Sequence, residues 1–140
     1  MKKVVTILAL LIATGSLFAQ KKTTTSATVS FDATTPKDGL PKAENKTVIG
    51  SIDTQTGVVA FEAAVKNFSF SNPQMQGHFN GPNWFISDTY PVFAYTGKIE
   101  KLSSVKFTKN GTYKVTVTGD LKIKDITKKL KIHGTVTVND

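Results

Sequence analysis

The 140 residues include no cysteine and no arginine. Without cysteine there is no disulfide framework, no thiolate zinc site, no iron–sulfur cluster and no thiol nucleophile. All 18 cationic side chains are lysines, so the planar guanidinium that reads guanine edges and grips phosphate with two bonds is missing. We therefore expect no nucleic-acid partner. The length supports one domain with a single core.

Histidine is also scarce, and this bears on catalysis. Neither His78 nor His133 has a second histidine or a carboxylate at the spacing of a metal site. There is no G-x-S-x-G turn and no glycine-rich phosphate loop. We expect no catalytic residue, no metal and no cofactor. For His78 an ordinary hydrogen-bonded role is favoured over catalysis or ligand contact, and an enzyme is the third hypothesis.

The first nineteen residues have the composition of a secretory signal peptide. Lys2 and Lys3 precede an almost wholly apolar stretch, 4–13, and Ala19 offers a small residue for cleavage. The alternative is a membrane anchor, but the apolar run is shorter than the ~20 residues that span a bilayer. The sequence thus predicts a signal peptide over 1–19 and one domain over 20–140. The product would be periplasmic or secreted, and not an integral membrane protein.

Through most of the remaining chain, apolar and polar residues alternate with the two-residue period of half-buried strands. The pattern predicts about seven antiparallel strands, including a second strand over Lys46–Asp53 and a long one over Val58–Phe70. The long strand changes phase, because Phe68 and Phe70 are even-numbered whereas its earlier inward residues are odd-numbered. We expect a bulge or bend near Lys66. The fold class is all-β, either a barrel or a sandwich.

One connection carries a hairpin signal. Val105 and Phe107 continue the alternation that precedes Asn110-Gly111. This dipeptide accepts positive φ at both positions and is the strongest short hairpin signal. We therefore predict a tight hairpin there.

Residues 71–89 break the alternation. Asn72-Pro73 favours a helix start, and Met75, His78 and Phe79 follow at helical spacing. Long ordered connections in small β domains often cover an open end or carry function. We predict a short helical cap over the mouth of the sheet.

Aromatic side chains gather on the inward phases and in the cap. In an ordinary core they would fill space together with small residues such as Ala63 and Gly97. In the alternative interpretation, the small residues leave a tunnel for a long apolar ligand, and an eight-stranded barrel is about the size that holds one ligand. Composition does not separate these alternatives. The residues assigned to an apolar lumen and its cap are Phe31, Phe61, Phe68, Phe70, Met75, His78, Phe79, Trp84, Phe93, Tyr95, Phe107 and Tyr113.

Lysines are concentrated from Lys98 to Lys131, where ten lysines accompany three carboxylates. Such a run is typical of a solvated outer strand face that discourages edge pairing. It is also compatible with a surface that attracts anionic head groups or phosphates. The second hypothesis is therefore a solid-cored β domain with a structural or surface-interaction role through its lysine-rich outer face.

Several segments, taken in order, carry a resemblance to a known family. They are Ser51-Ile52-Asp53, Met75-Gln76-Gly77-His78-Phe79-Asn80, Trp84-Phe85, Ser87-Asp88-Thr89-Tyr90-Pro91, Phe93–Ile99 and Gly111–Leu121. In this order they resemble the YceI-like family of exported lipid-binding proteins. The resemblance implies a lipocalin-like antiparallel β-barrel, closed by a small helix, that holds a polyisoprenoid-type lipid. It implies a carrier or storage role without catalytic residues.

The chain departs from the family pattern at two places. Lys124-Asp125 stands where the family has His-Gly, so any role of that histidine is not carried over. Family members also continue for several strands beyond the position of Asp140. We expect either an incomplete chain or an open barrel, and an open barrel would bind lipid weakly or pair its exposed edge with a second copy in a homodimer.

Overall fold

The computed structural model describes residues 21–140, so the predicted signal peptide lies outside the described residues. This part of the chain forms one curled antiparallel sheet and one short α-helix, which confirms the all-β class and the open, barrel-like form. The strands and the helix are β1 (Lys21–Asp32), β2 (Lys42–Asp53), β3 (Val58–Ala64), β4 (Ser69–Phe70), α1 (Pro73–Asn80), β5 (Val92–Ile99), β6 (Gly111–Ile123) and β7 (Ile126–Val138).

The sheet has the spatial order β1-β2-β3-β5-β6-β7, and the short β4 pairs with β2. Its inner, concave face carries the inward residues that the alternation predicts. The strands β5 and β6 meet at a glycine pair, Gly97 opposite Gly119. A Cβ on Gly119 would lie 2.2 Å from the carbonyl oxygen of Thr96. These glycines therefore allow the close approach that a sharply curled sheet requires.

The expected bend near Lys66 is confirmed. A 3-10 turn over Val65–Asn67 interrupts the predicted long strand and separates β3 from β4. The turn returns Phe68 and Phe70 to buried positions, so the change of phase in the sequence marks a real change of direction.

The strand β2 begins at Lys42, whereas the alternation predicts a start at Lys46. The alternation misses the first residues of the strand because a polar residue occupies an inner position. Asn45 is fully buried. Its amide nitrogen donates to the carbonyl oxygen of Ala64 at 2.9 Å, and its amide oxygen accepts from the backbone nitrogen and the hydroxyl of Thr47, each at 2.9 Å. These hydrogen bonds satisfy the side chain inside the fold.

The predicted hairpin at Asn110-Gly111 is wrong. The strand β5 ends at Ile99, and the connection to β6 contains a 3-10 turn over Leu102–Ser104. Because Ile99 pairs with Val117, the first half of β6 extends beyond β5. The chain therefore needs a long connection to reach the start of β6, and a two-residue turn cannot span that distance.

The predicted cap is confirmed as α1. The side chain of Asn72 accepts hydrogen bonds from the backbone nitrogens of Gln74 at 2.9 Å and Met75 at 3.1 Å. Pro73 occupies the first turn of the helix, where its missing N–H costs nothing, and Gly81 follows the last turn.

The side chain of Gln76 fixes the helix to β4. Its amide oxygen accepts from the backbone nitrogen of Phe70 at 3.0 Å, and its amide nitrogen donates to the carbonyl oxygen of Phe68 at 2.7 Å. The helix thereby presents Met75 and Phe79 to the buried cluster at this end of the sheet.

Candidate ligand-binding groove

An elongated groove follows the concave face of the sheet, and residues of both edge strands, β1 and β7, line it. Its larger part, termed the cap compartment, has a volume of about 800 Å³ beside α1 and the connection after it. Ligand sites typically measure about 300–1,000 Å³. The residues that line the cap compartment are Thr28, Val29, Phe31, Ala33, Pro41, Val48, Phe61, Ala63, Phe68, Phe79, Trp84, Phe85, Phe93, Ala94, Tyr95, Leu121, Ile123, Leu130 and Ile132.

The smaller part of the groove, termed the far compartment, has a volume of about 440 Å³. Phe61, Tyr95 and Ile132 line both compartments and mark the boundary between them. The residues that line the far compartment are Lys22, Thr23, Thr24, Gly50, Ser51, Ile52, Val59, Phe61, Tyr95, Ile99, Val115, Val117, Ile132, Gly134, Thr135 and Val136.

Aromatic rings form the wall at the cap end. The ring of Phe79 lies 4.6 Å from that of Phe85 and 4.9 Å from that of Phe70, and it stacks on Phe31 at 5.8 Å. Phe85 contacts Phe93 edge to face at 5.0 Å. Tilted and edge-to-face arrangements of this kind are favourable for aromatic pairs, so the rings pack into one continuous apolar wall.

The floor of the groove is crossed by Tyr95, which is 6% exposed. Its hydroxyl donates to the carbonyl oxygen of Leu130 at 3.1 Å. The side chain passes over Gly97, where a Cβ would lie 2.7 Å from the hydroxyl. Burial, and to a lesser degree the Asp120 carboxylate, raises the pKa of Tyr95. The phenol is therefore neutral at ordinary pH, and it adds no charge to the floor.

A glycine also positions Phe61. A Cβ on Gly50 would lie 3.0 Å from the Phe61 ring, so the missing side chain gives the ring its place between the two compartments. Phe61 is 39% exposed and Trp84 is 41% exposed. Both rings therefore present apolar surface to the open groove.

The predicted lumen residues fall into two groups. Phe70 and Met75 are buried behind the aromatic wall, and His78 lies on the exposed side of α1. Phe107 packs against the buried cluster near the far compartment, and Tyr113 donates to the carbonyl oxygen of Lys109. These five side chains are outside the groove. The seven that line the cap compartment are Phe31, Phe61, Phe68, Phe79, Trp84, Phe93 and Tyr95.

Aliphatic residues complete the lining, and the sequence does not assign them to a site. Leu121 and Ile123 come from β6, Leu130 and Ile132 from the edge strand β7, and Val29 from the edge strand β1. Their alternation places them on the inner face. Periodicity is the same for a packed aliphatic side chain and for one that faces an open groove, so the sequence offers no signal that separates the two.

The mouth of the cap compartment is held by contacts that we term the cap latch. Lys124 donates from Nζ to the carbonyl oxygen of Trp84 at 2.9 Å and lies 5.7 Å from the centre of the Tyr90 ring. The hydroxyl of Tyr90 donates to Asp125 at 2.9 Å. Ile86 and Lys124 both have positive φ, 47° and 57°, so each side of the latch includes a residue in the left-handed region that is unfavourable for side chains other than glycine.

Two observations concern other kinds of site. Among residues 21–140, no cluster of three or more histidine or carboxylate side chains is suited to bind a metal. Along the same residues, no helix has the length and apolar character needed to cross a bilayer.

Over residues 13–140, the sequence matches the YceI-like domain family. No curated protein sequence matches the chain at a significant level. Among solved structures, a polyisoprenoid-binding domain from Saccharophagus degradans, implicated in plant cell wall breakdown, aligns with a TM-score of 0.65 at 15% identity, over 86% of this chain and 69% of that chain.

Two further solved structures align less closely. The YceI protein of Campylobacter jejuni has a TM-score of 0.45 at 15% identity, over 80% of this chain and 53% of that chain. BcnA of Burkholderia cenocepacia has a TM-score of 0.45 at 18% identity, over 84% of this chain and 60% of that chain. The chain thus spans little more than half the length of these two proteins.

Proposed function

We propose that this chain, which belongs to the YceI-like domain family, binds a long apolar lipid of the polyisoprenoid type in its groove. The observation that carries the proposal is the cap compartment, about 800 Å³ of space with an almost wholly apolar lining. Burial of apolar surface contributes about 25 cal/mol per Å², so a long hydrocarbon chain binds there without a polar anchor. The protein acts as a carrier or store, and no reaction is part of the proposal.

The exposure of the lining supports this proposal. Phe61, Trp84, Leu130 and Ile132 are each between 38% and 41% exposed. Contiguous exposed apolar surface is typical of ligand-binding grooves and interaction sites. The Saccharophagus degradans domain that shares the fold is a polyisoprenoid-binding domain, and this supports the choice of lipid class.

The solid-cored alternative is less favoured because it predicts no internal cavity. Two lysines of its lysine-rich outer face also have local partners. Lys129 pairs with Asp120 at 2.8 Å, and Lys131 pairs with Glu100 at 3.1 Å. Such exposed pairs are typical of a solvated strand surface.

We further propose that the protein is exported to the periplasm or the medium after cleavage near Ala19. The composition of residues 1–19 supports this location. N-terminal sequencing of the protein recovered outside the cytoplasm should begin just after Ala19. An N-terminus that still contains Met1 would contradict export by cleavage.

We also propose that two copies pair through β7. Within residues 21–140 this strand of 13 residues pairs with β6 alone. Its inner-face residues Ile126, Leu130 and Ile132 are 60%, 40% and 38% exposed. An edge strand presents a row of unpaired backbone N–H and C=O groups, which can pair with another strand. In a twofold dimer, β7 would pair antiparallel with its copy and cover the open side of the groove.

Lipid binding is tested by two measurements on the wild-type protein. Native mass spectrometry after mild extraction should reveal a bound lipid. Titration of the delipidated protein with geranylgeraniol should change the fluorescence of Trp84, which is the only tryptophan in the sequence and lines the cap compartment. The absence of both signals would overturn the proposal.

A matched pair of variants tests the position of the lipid. Leu130→Lys places an ammonium in the cap compartment at an exposed position of β7, and we expect the affinity for geranylgeraniol to fall at least about tenfold because the charge loses water on binding. Thr127→Lys places the same charge on the outer face of the same strand and should leave the affinity unchanged. Equal affinities in the two variants would exclude the cap compartment as the site.

A further inference from the structure

We propose that the protein docks on the surface of an anionic lipid bilayer through the connection between β5 and β6 and the first residues of β6. Four lysines form this surface, which we term the basic platform: Lys101, Lys106, Lys109 and Lys114. The inference adds a docking partner, and it does not depend on which molecule the groove binds. It is carried by a local excess of positive charge on an ordered, exposed connection.

The positive charge of the basic platform has no local counter-charge. Over residues 101–114 the sequence contains four lysines and no carboxylate. The ion pairs within residues 21–140 engage other lysines. Two carboxylates at this end of the sheet have partners of their own. Glu100 pairs with Lys131 at 3.1 Å, and the side chain of Asp140 accepts a hydrogen bond from Asn110 at 2.9 Å.

Apolar side chains anchor the basic platform to the body of the sheet. Leu102 and Phe107 pack against the buried cluster beside the far compartment, and Val105 is buried. The carbonyl oxygen of Lys109 accepts a hydrogen bond from the hydroxyl of Tyr113 at 2.7 Å. The lysines are therefore carried by a connection that is packed on the sheet, and not by a free loop.

The fold brings the two ends of the basic platform together. Lys101 in the connection and Lys114 on the outer face of β6 line one recess of about 580 Å³, which Glu100 and Ser104 also line. The backbone nitrogen of Glu100 donates to the carbonyl oxygen of Thr116 at 2.9 Å, and this bond holds the connection against β6. Charges that are distant in the sequence thus act on the same outer surface.

The exposed side chains favour a bilayer over other anionic partners. Over residues 101–114 they are those of lysine, serine, threonine and asparagine, whereas the apolar side chains are half-buried or buried. Protein interfaces are enriched in aromatic residues, methionine and arginine and are depleted in lysine. Nucleic-acid sites favour arginine, which the sequence lacks. Hydrated lysine charges are sufficient at an anionic leaflet, where each one strengthens attachment about fivefold.

The experiment measures sedimentation of the wild-type protein with vesicles of phosphatidylglycerol and phosphatidylcholine. Binding should occur at low salt, weaken as salt screens the charges, and be absent with vesicles of phosphatidylcholine alone. Replacing the four lysines of the basic platform by glutamine should weaken binding at least about tenfold. This platform variant combines Lys101→Gln, Lys106→Gln, Lys109→Gln and Lys114→Gln.

A matched variant removes the same number of charges elsewhere on the molecule. Each of its four lysines pairs with a carboxylate, so each contributes little to the attraction of a distant anionic surface. We expect its binding to stay within about twofold of that of the wild type. The control variant combines Lys42→Gln, Lys46→Gln, Lys66→Gln and Lys129→Gln.

Three outcomes would overturn the inference. Equal losses in the two variants would show that net charge, and not the basic platform, attracts the vesicles. Binding to the mixed vesicles that does not respond to salt would exclude an electrostatic contact. Binding of polyphosphate under conditions in which the vesicles do not bind would identify a soluble polyanion as the partner.

The fluorescence of Trp84 separates this inference from the proposed function. We expect the platform variant to keep the wild-type response to geranylgeraniol, because its substitutions lie outside the groove. A wild-type protein that responds to geranylgeraniol but does not bind the mixed vesicles overturns only the docking. A wild-type protein that binds the vesicles without any response to geranylgeraniol supports the docking and contradicts lipid binding in the groove.

Discussion

Gly119 has no space for a side chain, and this single residue sets the distance between β5 and β6. A Cβ would lie 2.2 Å from the carbonyl oxygen of Thr96 and 2.4 Å from the Cα of Gly97. We expect Gly119→Ala to lower the free energy of unfolding by about 1–3 kcal/mol, because the two strands must move apart. Urea denaturation measures the change.

Gly134 provides the matched control for that variant. It lies on the inner face of β7, and nothing is within 4 Å of the position that its Cβ would take. Gly134→Ala should change the stability by no more than about 0.5 kcal/mol. Equal losses in the two variants would show that the contact at Gly119 is not responsible.

Among residues, the candidate site is predictable only in part. The sequence assigns aromatic side chains on inward phases, such as Phe61 and Phe93, to the lumen, and they do line the groove. Phe70 is also inward, but the 3-10 turn before β4 carries it behind the wall. The sequence does not assign the edge-strand residues Leu130 and Ile132 to the site, because an aliphatic pattern does not show which inward positions stay uncovered.

At the level of elements, the cap latch joins the connection after α1 to the β6–β7 turn. We expect the stability of this latch to depend on pH. The hydrogen bond that Tyr90 donates to Asp125, and the charge of that carboxylate, raises the pKa of Tyr90. Folding thus stabilises the neutral phenol. This contribution is present below the ordinary value of about 10 and is lost as the pH rises through the raised value.

We expect Asp125→Asn to lower the pKa of Tyr90 relative to wild type, because the variant keeps a hydrogen-bond acceptor but removes the negative charge. An ultraviolet absorbance titration at alkaline pH measures the ionisation of tyrosine. Tyr90→Phe serves as the control that identifies which component of the titration belongs to this residue. Identical titration curves for wild type and Asp125→Asn would show that the Tyr90–Asp125 contact does not form in solution.

The elements themselves follow from local sequence where the local signal has no competitor. The cap residue Asn72 and the proline after it correctly predict α1, and the change of phase before Phe68 correctly predicts a bend. The start of β2 was missed because Asn45 looks like a surface residue until its partners are known. The hairpin at Asn110-Gly111 was wrong because register, which is a tertiary property, decides where β6 meets β5.

For the whole molecule, the absence of cysteine makes the proposed pairing of β7 directly measurable. In a twofold antiparallel pair, a residue near the axis faces its own copy at a distance that suits a disulfide. We expect one of the single variants Lys131→Cys, Ile132→Cys and His133→Cys, at the middle of the strand, to form a covalent dimer under mild oxidation.

The control for this cross-linking places the thiol on an internal strand. Thr96→Cys lies at an exposed position of β5, which has partners on both sides, and it should stay monomeric on a denaturing gel. If the three β7 variants form no more dimer than Thr96→Cys, the proposed pairing is wrong.

The position of the groove between two edge strands affects how strongly the protein can select ligands by their length. A closed barrel admits a molecule end first and therefore measures its length. The strands β1 and β7 line the same groove without pairing with each other. A ligand can therefore enter the groove along its whole length, and any part of the chain that does not fit can remain outside it. For the proposed lipid, selection would then act on the units that lie inside the groove, and homologous chains of many lengths would be retained alike.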